Sequence, residues 1–409
     1  MVEIRLTERE REVAALRADG LPVADIAARL IVEPRTVKFH LRNVYAKLGL
    51  RGQSHGARQL ALARYAESFT PPPLPAVPEP AHAAVASPLA DSPHDSLTRR
   101  TLFRPDRTLT QVLARGRFTL SAEVIPPRNG AEQTTVLDTI ARLIQSGAHF
   151  LAVTKGAGGS LRGGSLPIAQ LVKEHFGVPC IAHFTCRDLL PEEVENQLVD
   201  HHYFGIRNIL ALRGDPPDGQ PDWRPRPGGY AYAHQLIDQI RRLNSGEYLS
   251  RPGGPAPEAQ APTEFCIGCA VYPEHPDPHE RIDFFKQKID AGAEFAMTQM
   301  VFDADFYGRF LDACERARLD GPIVPGTRIL RSRAAARRTA DKYRVTVPPG
   351  TLSALTSLHD PEAEERALDL FLSLVERLRR LGAPGVHVFV TDPGIACKGI
   401  ARLSASGKG

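Results

Sequence analysis

From about residue 110 onward, short apolar runs alternate with helical patterns, and this alternation constrains the fold more than any other feature of the chain. Eight apolar runs bounded by turn residues are predicted strands, at 118–124, 150–154, 180–185, 208–212, 265–271, 295–299, 323–325 and 386–390. Helical patterns lie near 131–146, 166–176, 190–201, 231–244, 280–291, 304–317, 333–343 and 361–381. Eight such units over about 300 residues predict an α/β fold, a TIM (β/α)8 barrel in the segment 110–409.

The composition is that of a globular chain, with 42% hydrophobic and 24% charged residues. No apolar run approaches the roughly 20 residues that a helix needs to span a bilayer. Met1 leads into the charged residues Glu3, Arg5 and Glu8, which does not fit a signal peptide. We therefore expect a cytoplasmic protein without a membrane partner.

Six cysteines are too few for a disulfide framework in a chain of 409 residues. Cys266 and Cys269 have CxxC spacing, but no second pair accompanies them, and they lie inside an apolar run. This setting favours buried structural thiols over a zinc or redox site, and we expect no metal.

The first 66 residues carry the basic excess of the chain. They contain twelve Lys/Arg and seven Asp/Glu, a net charge of +5, whereas the whole chain has a net charge of +4. Thr7 and Glu10 form a capping-box pattern that starts a first helix, and helical spacing continues over about 23–30 and 34–48. A short helix, a tight turn and a basic helix are what a helix-turn-helix needs to present cations to the major groove of DNA.

Four motifs stand out in this region: Leu6-Thr7-Glu8-Arg9-Glu10-Arg11-Glu12-Val13, Asp25-Ile26-Ala27, Thr36-Val37-Lys38-Phe39-His40-Leu41 and Lys47-Leu48-Gly49-Leu50. They resemble the DNA-binding domain of LuxR-type regulators. The resemblance covers residues 1–66 and implies that Lys38, Phe39 and Arg42 face DNA. Such a domain usually ends a chain, and the alternative is that it serves here mainly for association. Residues 67–109, rich in Pro and Ala, are a predicted linker.

Polar residues stand at the C-terminal ends of seven predicted strands. In chain order they are Glu123, Thr154 with Lys155, His183 with Thr185, Arg213 with Asp215, Tyr272 with Glu274 and His275, Thr298 with Gln299, and Thr391 with Asp392. In a parallel barrel these strand ends share one face, where barrel enzymes place their chemistry. We therefore predict one site at this face.

Two carboxylates, Glu123 and Asp215, come from strands three apart and are expected to face one cavity. One carboxylate held protonated would act as an acid while the other stays ionised. The chain lacks HExxH, Walker A and strand-flanked GxGxxG motifs. A metal-free barrel with carboxylates, a histidine, a glutamine and an aromatic residue suits a flat organic cofactor.

A longer series of motifs follows in order between about 115 and 395: the stretch 121–128, Val153-Thr154, Ala182-His183-Phe184-Thr185-Cys186, the stretch 205–215, Tyr272-Pro273-Glu274-His275-Pro276, the stretch 288–293 and Thr298-Gln299. Together these motifs resemble those of methylenetetrahydrofolate reductases. The resemblance implies an FAD-binding barrel that reduces 5,10-methylenetetrahydrofolate to 5-methyltetrahydrofolate with hydride from NADH or NADPH. We also expect a homo-oligomer.

The resemblance also implies roles for individual residues. Glu123 would be the general acid that helps to open the bridged folate to its iminium form, and Asp215 would stabilise that cation beside the flavin. Gln299 would hold the pterin, and the implied folate-binding residues are therefore Gln299 together with Asp215. The implied flavin contacts are Thr154, His183, Thr185, Leu212, Arg213, Gly214, Asp215, Tyr272, His275 and Lys288.

Several positions depart from the family pattern. Lys155 stands where an aromatic residue is usual, and Arg281 and Phe284 replace an acid and a polar residue that contact the flavin. The runs 328–333 and 392–394 also differ from those of the family. These differences concern the nicotinamide site and the adenine end of the flavin.

Two alternatives to the reductase therefore stay open. One is a transcriptional regulator whose barrel senses flavin or folate. The other is a folate oxidoreductase that works in the direction of methyl-folate oxidation. The joint presence of Glu123, Asp215 and Gln299 favours chemistry over sensing, because a sensor needs no acid.

Overall fold

A computed structural model describes residues 6–50 except 19–20, 31 and 33, residue 61, and residues 103–406 except 128–132, 157–159, 161–162, 218, 221, 251–260 and 356–361. The chain divides into two compact units, Met1–Asp91 and Ser92–Gly409. Residues 67–102 of the predicted linker lie outside the described residues. In the part of the chain that is described, no helix is long and apolar enough to cross a membrane.

The N-terminal unit contains the three predicted helices, α1 (Glu8–Ala18), α2 (Val23–Arg29) and α3 (Pro34–Lys47). Both arms of the predicted capping box are present, since the Glu10 N–H donates to Thr7 Oγ1 (3.3 Å) and the Thr7 N–H donates to Glu10 Oε2 (2.8 Å). The apolar stripe of α3 is buried, as the helical spacing predicts. The helical fold expected for this unit is confirmed.

The C-terminal unit is a closed barrel of parallel strands in the order β1 to β8, with β8 paired to β1. The strands are β1 (Thr119–Val124), β2 (Phe150–Val153), β3 (Cys180–Thr185), β4 (Asn208–Leu212), β5 (Cys266–Val271), β6 (Phe295–Met300), β7 (Ile323–Thr327) and β8 (Gly385–Val388). The predicted TIM barrel is thus confirmed.

Helices accompany the strands, and all of them except the short helix Pro349–Ala354 bury side chains. In the described ranges they are α4 (Leu109–Leu113), α5 (Gln133–Gln145), α6 (Ser165–Phe176), α7 (Pro191–Tyr203), α8 (Ala233–Asn244), α9 (Pro278–Ala291), α10 (Ala304–Arg316), α11 (Arg333–Tyr343), α12 (Pro349–Ala354), α13 (Ala363–Arg380) and α14 (Pro393–Ser406). The main apolar cluster lies between strands and helices. All six cysteines are free and buried, which confirms the prediction of buried thiols.

The helix that follows β8 was not predicted from the sequence. Asp392-Pro393-Gly394 looks like a turn, but Asp392 Oδ1 accepts the N–H groups of Gly394 (2.9 Å) and Ile395 (3.4 Å). Pro393 stands at the first position of α14, where its missing N–H costs no hydrogen bond. The predicted helices 333–343 and 361–381 both lie between β7 and β8, as α11 and α13.

The bottom of the barrel is closed by residues 103–113, part of which the sequence assigns to the linker. Leu109, Val112 and Leu113 of α4 are buried in an apolar cluster with Phe150 and Phe295. The Asn208 side chain fixes this segment, because its Oδ1 accepts the Leu109 N–H (2.5 Å) and its Nδ2 donates to the Arg107 carbonyl (2.9 Å). The opposite, C-terminal end of the strands is left for the site.

Candidate functional site

A cavity of about 500 Å³ opens at the C-terminal ends of the barrel strands. Its volume lies within the range of small-molecule sites, roughly 300 to 1,000 Å³. Every barrel residue to which the family resemblance assigns a role lines this cavity: Glu123, Thr154, His183, Thr185, Leu212, Arg213, Gly214, Asp215, Tyr272, His275, Lys288 and Gln299. Three other strand-end residues predicted to share the site do not line it, because their side chains bind neighbouring loops instead: Glu274, Thr391 and Asp392. The structure therefore brings the residues with an assigned role together, while the role of each member is a separate question.

Glu123 carries a buried carboxyl that has no hydrogen-bond donor or cation beside it among the described residues. Only 8% of the residue is exposed, and among the described residues no group donates a hydrogen bond to its carboxyl. It lies beside Ala152 of β2 in the strand register, and every residue of β1 is buried. Burial disfavours the charged form and raises the pKa of Glu123 from 4.5 to about 8. At neutral pH this carboxyl therefore carries a proton.

Two buried histidines line the same cavity, His183 on β3 and His387 on β8. Burial lowers the pKa of His183 to about 4, and burial together with the nearby His183 lowers the pKa of His387 to about 3. Both rings are therefore neutral at pH 7. Ser121 Oγ lies 3.0 Å from His387 Nδ1 and 3.2 Å from the Val386 carbonyl. Within the described residues the Nε2 atoms of both histidines have no hydrogen-bond partner.

The turn after β4 is built on Gly214. Its φ of +93° is in the left-handed region, and a Cβ at this position would stand 2.8 Å from Arg187 Cβ. Only glycine fits both conditions without strain. The turn exposes Arg213 and Asp215 at the cavity wall, and the Asp215 carbonyl accepts a hydrogen bond from Arg187 Nη1 (2.7 Å).

Hydrogen bonds of Asp188 join the loops after β3 and β4 and support this turn, and we call the group Arg187, Asp188, Trp223 and Arg226 the latch. Asp188, at a φ of +64°, accepts Arg187 Nε (3.0 Å) and the indole N–H of Trp223 (2.9 Å) on its two carboxylate oxygens. Arg226 Nη1 donates to the Asp188 carbonyl (3.3 Å). The Arg187 side chain is 9% exposed, so it lies under the turn. The latch fixes the backbone that presents Asp215 to the cavity.

Aromatic and cationic groups from β5 and α9 form another wall. Lys288 Nζ donates to the Ala270 carbonyl (2.8 Å) and lies 5.8 Å from the centre of the Tyr272 ring. Phe284, one of the departures from the family pattern, lines the cavity, with its ring centre 6.2 Å from that of His275. The other departure on this helix, Arg281, donates through Nη1 to the Pro273 carbonyl (2.7 Å). Arg281 thus fixes the loop that carries His275.

Lys155, at the end of β2, is a cation in the cavity wall. Its Nζ donates to Gln197 Oε1 (2.7 Å) and stands 4.3 Å from the centre of the Phe184 ring. Burial lowers its pKa to about 8. The cation–π contact and the amide partner replace the carboxylate that a buried lysine often has.

Gln299 stands at the end of β6. Its Oε1 accepts the Met300 N–H (2.9 Å), and in the described part of the chain its amide nitrogen has no acceptor. Thr298 Oγ1 donates to the Gln299 carbonyl (2.6 Å) and accepts the Gly326 N–H (2.9 Å). The amide of Gln299 is therefore held by the strand and keeps donors for a ligand.

Sequence reasoning missed several cavity residues, namely Ile125, Tyr232, His234, Met297, Tyr343, His387 and Phe389. His387 and Phe389 stand two residues apart, so period-two alternation in the apolar run 386–390 is the signal that points both to one face. Tyr232 and His234, with ring centres 5.6 Å apart, come from a loop and a helix start and have no comparable signal. Among the described residues no group of His, Cys, Asp or Glu is arranged to hold a metal.

In the N-terminal unit, α3 presents Lys38, Phe39 and Arg42 on its exposed face, and 55% of Phe39 is accessible. Lys47, another cation of this helix, is engaged with Glu10 Oε2 at 2.6 Å. That carboxyl is buried, and hydrogen bonds from Lys47 and Thr7 outweigh burial and lower its pKa. Lys47 is thus held in an ion pair within the unit, whereas Lys38 and Arg42 lie on the solvent-exposed face of α3.

Comparisons with known proteins give one family match within each of the two compact units. Residues 108–400 match the family model of methylenetetrahydrofolate reductase, and residues 5–60 match that of bacterial regulatory proteins of the luxR family. The 5,10-methylenetetrahydrofolate reductase of Escherichia coli is 31% identical over 295 residues, 69% of this chain and 90% of that protein.

The chain spans about half the length of its plant relatives. A probable methylenetetrahydrofolate reductase (NADH) of Oryza sativa is 28% identical over 299 residues, 69% of this chain and 48% of that protein. Among solved structures, an uncharacterized protein from Clostridium thermocellum that binds two copies of 5-methyl-5,6,7,8-tetrahydrofolic acid has a TM-score of 0.48 and 12% identity, over 73% of this chain and 99% of that one.

Proposed function

We propose that this chain, which belongs to the methylenetetrahydrofolate reductase family, reduces 5,10-methylenetetrahydrofolate to 5-methyltetrahydrofolate with a bound flavin and a nicotinamide hydride donor. The observation that carries the proposal is the buried Glu123, whose pKa of about 8 leaves an acid in the cavity at neutral pH. Such an acid is what the ring opening of a bridged folate requires.

The cavity residues fit FAD on three observations. Thr154 Oγ1 and His183 Nε2 are buried polar atoms without partners among the described residues, so they have hydrogen-bonding capacity left for a ligand. Gly214 lines the cavity, and its positive φ leaves the backbone of the turn after β4 at the cavity wall without a side chain. Tyr272 and Phe389 give the cavity aromatic walls. When bound there, FAD supplies a hydride carrier between nicotinamide and folate.

The protein residues supply the proton and the charge that the reaction needs. Glu123 donates its proton to N10 of the bridged folate, which breaks the bond from N10 to the methylene carbon and leaves an iminium cation at N5. Asp215, at the exposed turn after β4, provides the negative charge that stabilises this cation. The amide nitrogen of Gln299 donates to the pterin ring. Hydride addition to the methylene carbon then gives the methyl group.

The sensing alternative rests on the match of residues 5–60 to a regulator family. An anaerobic visible spectrum separates it from the reductase. For a reductase, we expect a yellow protein that bleaches with NADH or NADPH and recolours when methylenetetrahydrofolate is added. A yellow protein that does not bleach with nicotinamide favours a sensor or the oxidation of methyl-folate. A colourless protein that does not take up FAD contradicts the proposed cofactor.

For the N-terminal unit we propose DNA binding through the exposed face of α3 that carries Lys38, Phe39 and Arg42. Cations on such a face bind phosphates and bases of the major groove. Replacing Lys38 and Arg42 together by Ala is expected to abolish retention on DNA and to leave the flavin content unchanged. Unaltered DNA binding in this double variant contradicts the assignment, and a change in flavin content indicates that the substitutions act through folding.

A further inference from the structure

The chain becomes strongly basic directly after β7. Residues 328–344 contain seven Lys/Arg and one acidic residue, Asp341. This run forms the loop after β7 and helix α11, and α11 ends at Tyr343, which lines the cavity. The basic run therefore borders the mouth of the site.

Strand register places Arg328 at this mouth. Thr327 pairs with Val388, and the Phe389 N–H donates to the Thr327 carbonyl (2.8 Å), so Arg328 stands opposite Phe389. His387 and Phe389 both line the cavity, and side chains two residues apart share a face. Arg328 is not itself among the lining residues, and the register places it beside Phe389 at the rim of the cavity.

Arg328 has a polar neighbour but no acidic partner among the described residues. Its Nη2 donates to Thr391 Oγ1 (3.0 Å), and its Nε is buried without an acceptor in the described part of the chain. Burial lowers the pKa of the Arg328 guanidinium, and the charge of Arg338 acts in the same direction. An arginine nevertheless stays charged at neutral pH. The mouth therefore holds a partly buried cation whose charge no described carboxylate balances.

A second arginine beside it is held by an ion pair. Arg331 binds Asp392, and the other oxygen of Asp392 caps α14 through the Gly394 N–H (2.9 Å). Two runs that differ from the family pattern, 328–333 and 392–394, are therefore joined in space. The pair fixes the loop after β7 against the start of α14 and so orients Arg328.

We propose that Arg328, held in place by Thr391 and the Arg331–Asp392 pair, forms an oxyanion subsite at the cavity mouth that binds a carboxylate or phosphate of the ligand. The proposal rests on the proposed function, because the folate is the ligand that the cavity would hold. Gln299 lies on β6, and Arg328 follows β7, which pairs with β6, so the proposed pterin site and Arg328 lie on adjacent strands at the same end of the barrel. The two carboxylates of the folate's glutamate match a guanidinium, and so does the 2′-phosphate of NADPH.

Calorimetry on the FAD-loaded protein tests the subsite without a measurement of turnover. The probes are 5-methyltetrahydrofolate and 5-methyltetrahydropteroate, which lacks the glutamate, and in a second arm NADPH and NADH. The variant is Arg328→Gln, and the matched control is Arg337→Gln, which removes the same charge from an exposed position on α11. A charge-assisted contact at a half-exposed site is expected to change affinity by about tenfold.

If the folate carboxylates occupy the subsite, Arg328→Gln weakens binding of the glutamylated folate about tenfold and leaves the pteroate unchanged. If a nucleotide phosphate occupies it, the variant weakens NADPH and spares NADH and both folates. Equal effects on glutamylated and unglutamylated folate, no effect on any probe, or the same effect from Arg337→Gln overturns the subsite. Failure of the unaltered protein to bind either folate contradicts the proposed function itself.

Discussion

The substitution Glu123→Gln removes proton donation by this side chain and leaves the other residues that line the cavity unchanged. The buried carboxyl has a pKa of about 8 instead of 4.5. At pH 7 it is roughly nine-tenths protonated, whereas a carboxyl with the ordinary pKa is protonated in roughly three molecules in a thousand. Burial thus increases the available acid about 300-fold. Glutamine keeps the shape of the protonated side chain and removes the transferable proton.

We expect Glu123→Gln to lower the rate at which folate reoxidises the reduced flavin by about 10² to 10⁴, the usual contribution of a general acid. Reduction of the flavin by nicotinamide should be unchanged, because that step needs no proton from Glu123. Stopped-flow absorbance separates the two steps. Glu315→Gln, at an exposed position of α10, is the control. A folate step at full rate in the Glu123 variant would refute the assigned role.

The same carboxyl predicts the pH dependence of the folate step and of stability. The rate in the unaltered protein should fall above pH 8, about tenfold per pH unit, as Glu123 loses its proton. Because the folded-state pKa is raised, the group's contribution to stability is fully present below pH 4.5 and is lost as pH rises to about 8. The loss amounts to about 5 kcal/mol. Glu123→Gln should therefore melt several degrees above the unaltered protein at pH 9, and a lower melting temperature would contradict the burial penalty.

Two further substitutions test the turn that presents Asp215. Gly214→Ala should cost about 1–3 kcal/mol and reduce bound FAD per chain, because it combines a positive φ with a Cβ contact at 2.8 Å. Gly219→Ala is the control, because Gly219 also has a positive φ but an added Cβ there would have no atom within 4 Å, so this variant should retain FAD. Equal loss of FAD in both variants would show that the Cβ contact at Gly214 is not the cause. Arg187→Gln should slow the folate step several-fold and shift the emission of Trp223, the single tryptophan, to longer wavelength. Slower turnover with unchanged Trp223 emission would contradict the inference that the Arg187–Asp188–Trp223 contacts position Asp215.

The barrel was predictable because burial along β-strands and helices leaves a local, periodic trace in the sequence. The set of site residues was predictable for a related reason. Parallel strands bring their C-terminal ends to one face, so polar residues at those ends meet wherever the barrel closes. The family resemblance then suggested roles for most of these residues, and the structure placed the residues with a suggested role around one cavity, whereas Glu274, Thr391 and Asp392 do not line it.

Other features depended on residues distant along the chain. The pKa of Glu123 follows from the absence of compensating groups among described residues of other strands, which no local pattern encodes. Arg331 and Asp392 form their pair only because β7 and β8 are neighbours in the closed sheet. Sequence determined which elements form, since propensity and periodicity act over a few residues. Solvation and charge pairing were decided by the tertiary structure, because they depend on which groups the fold brings within a few ångströms.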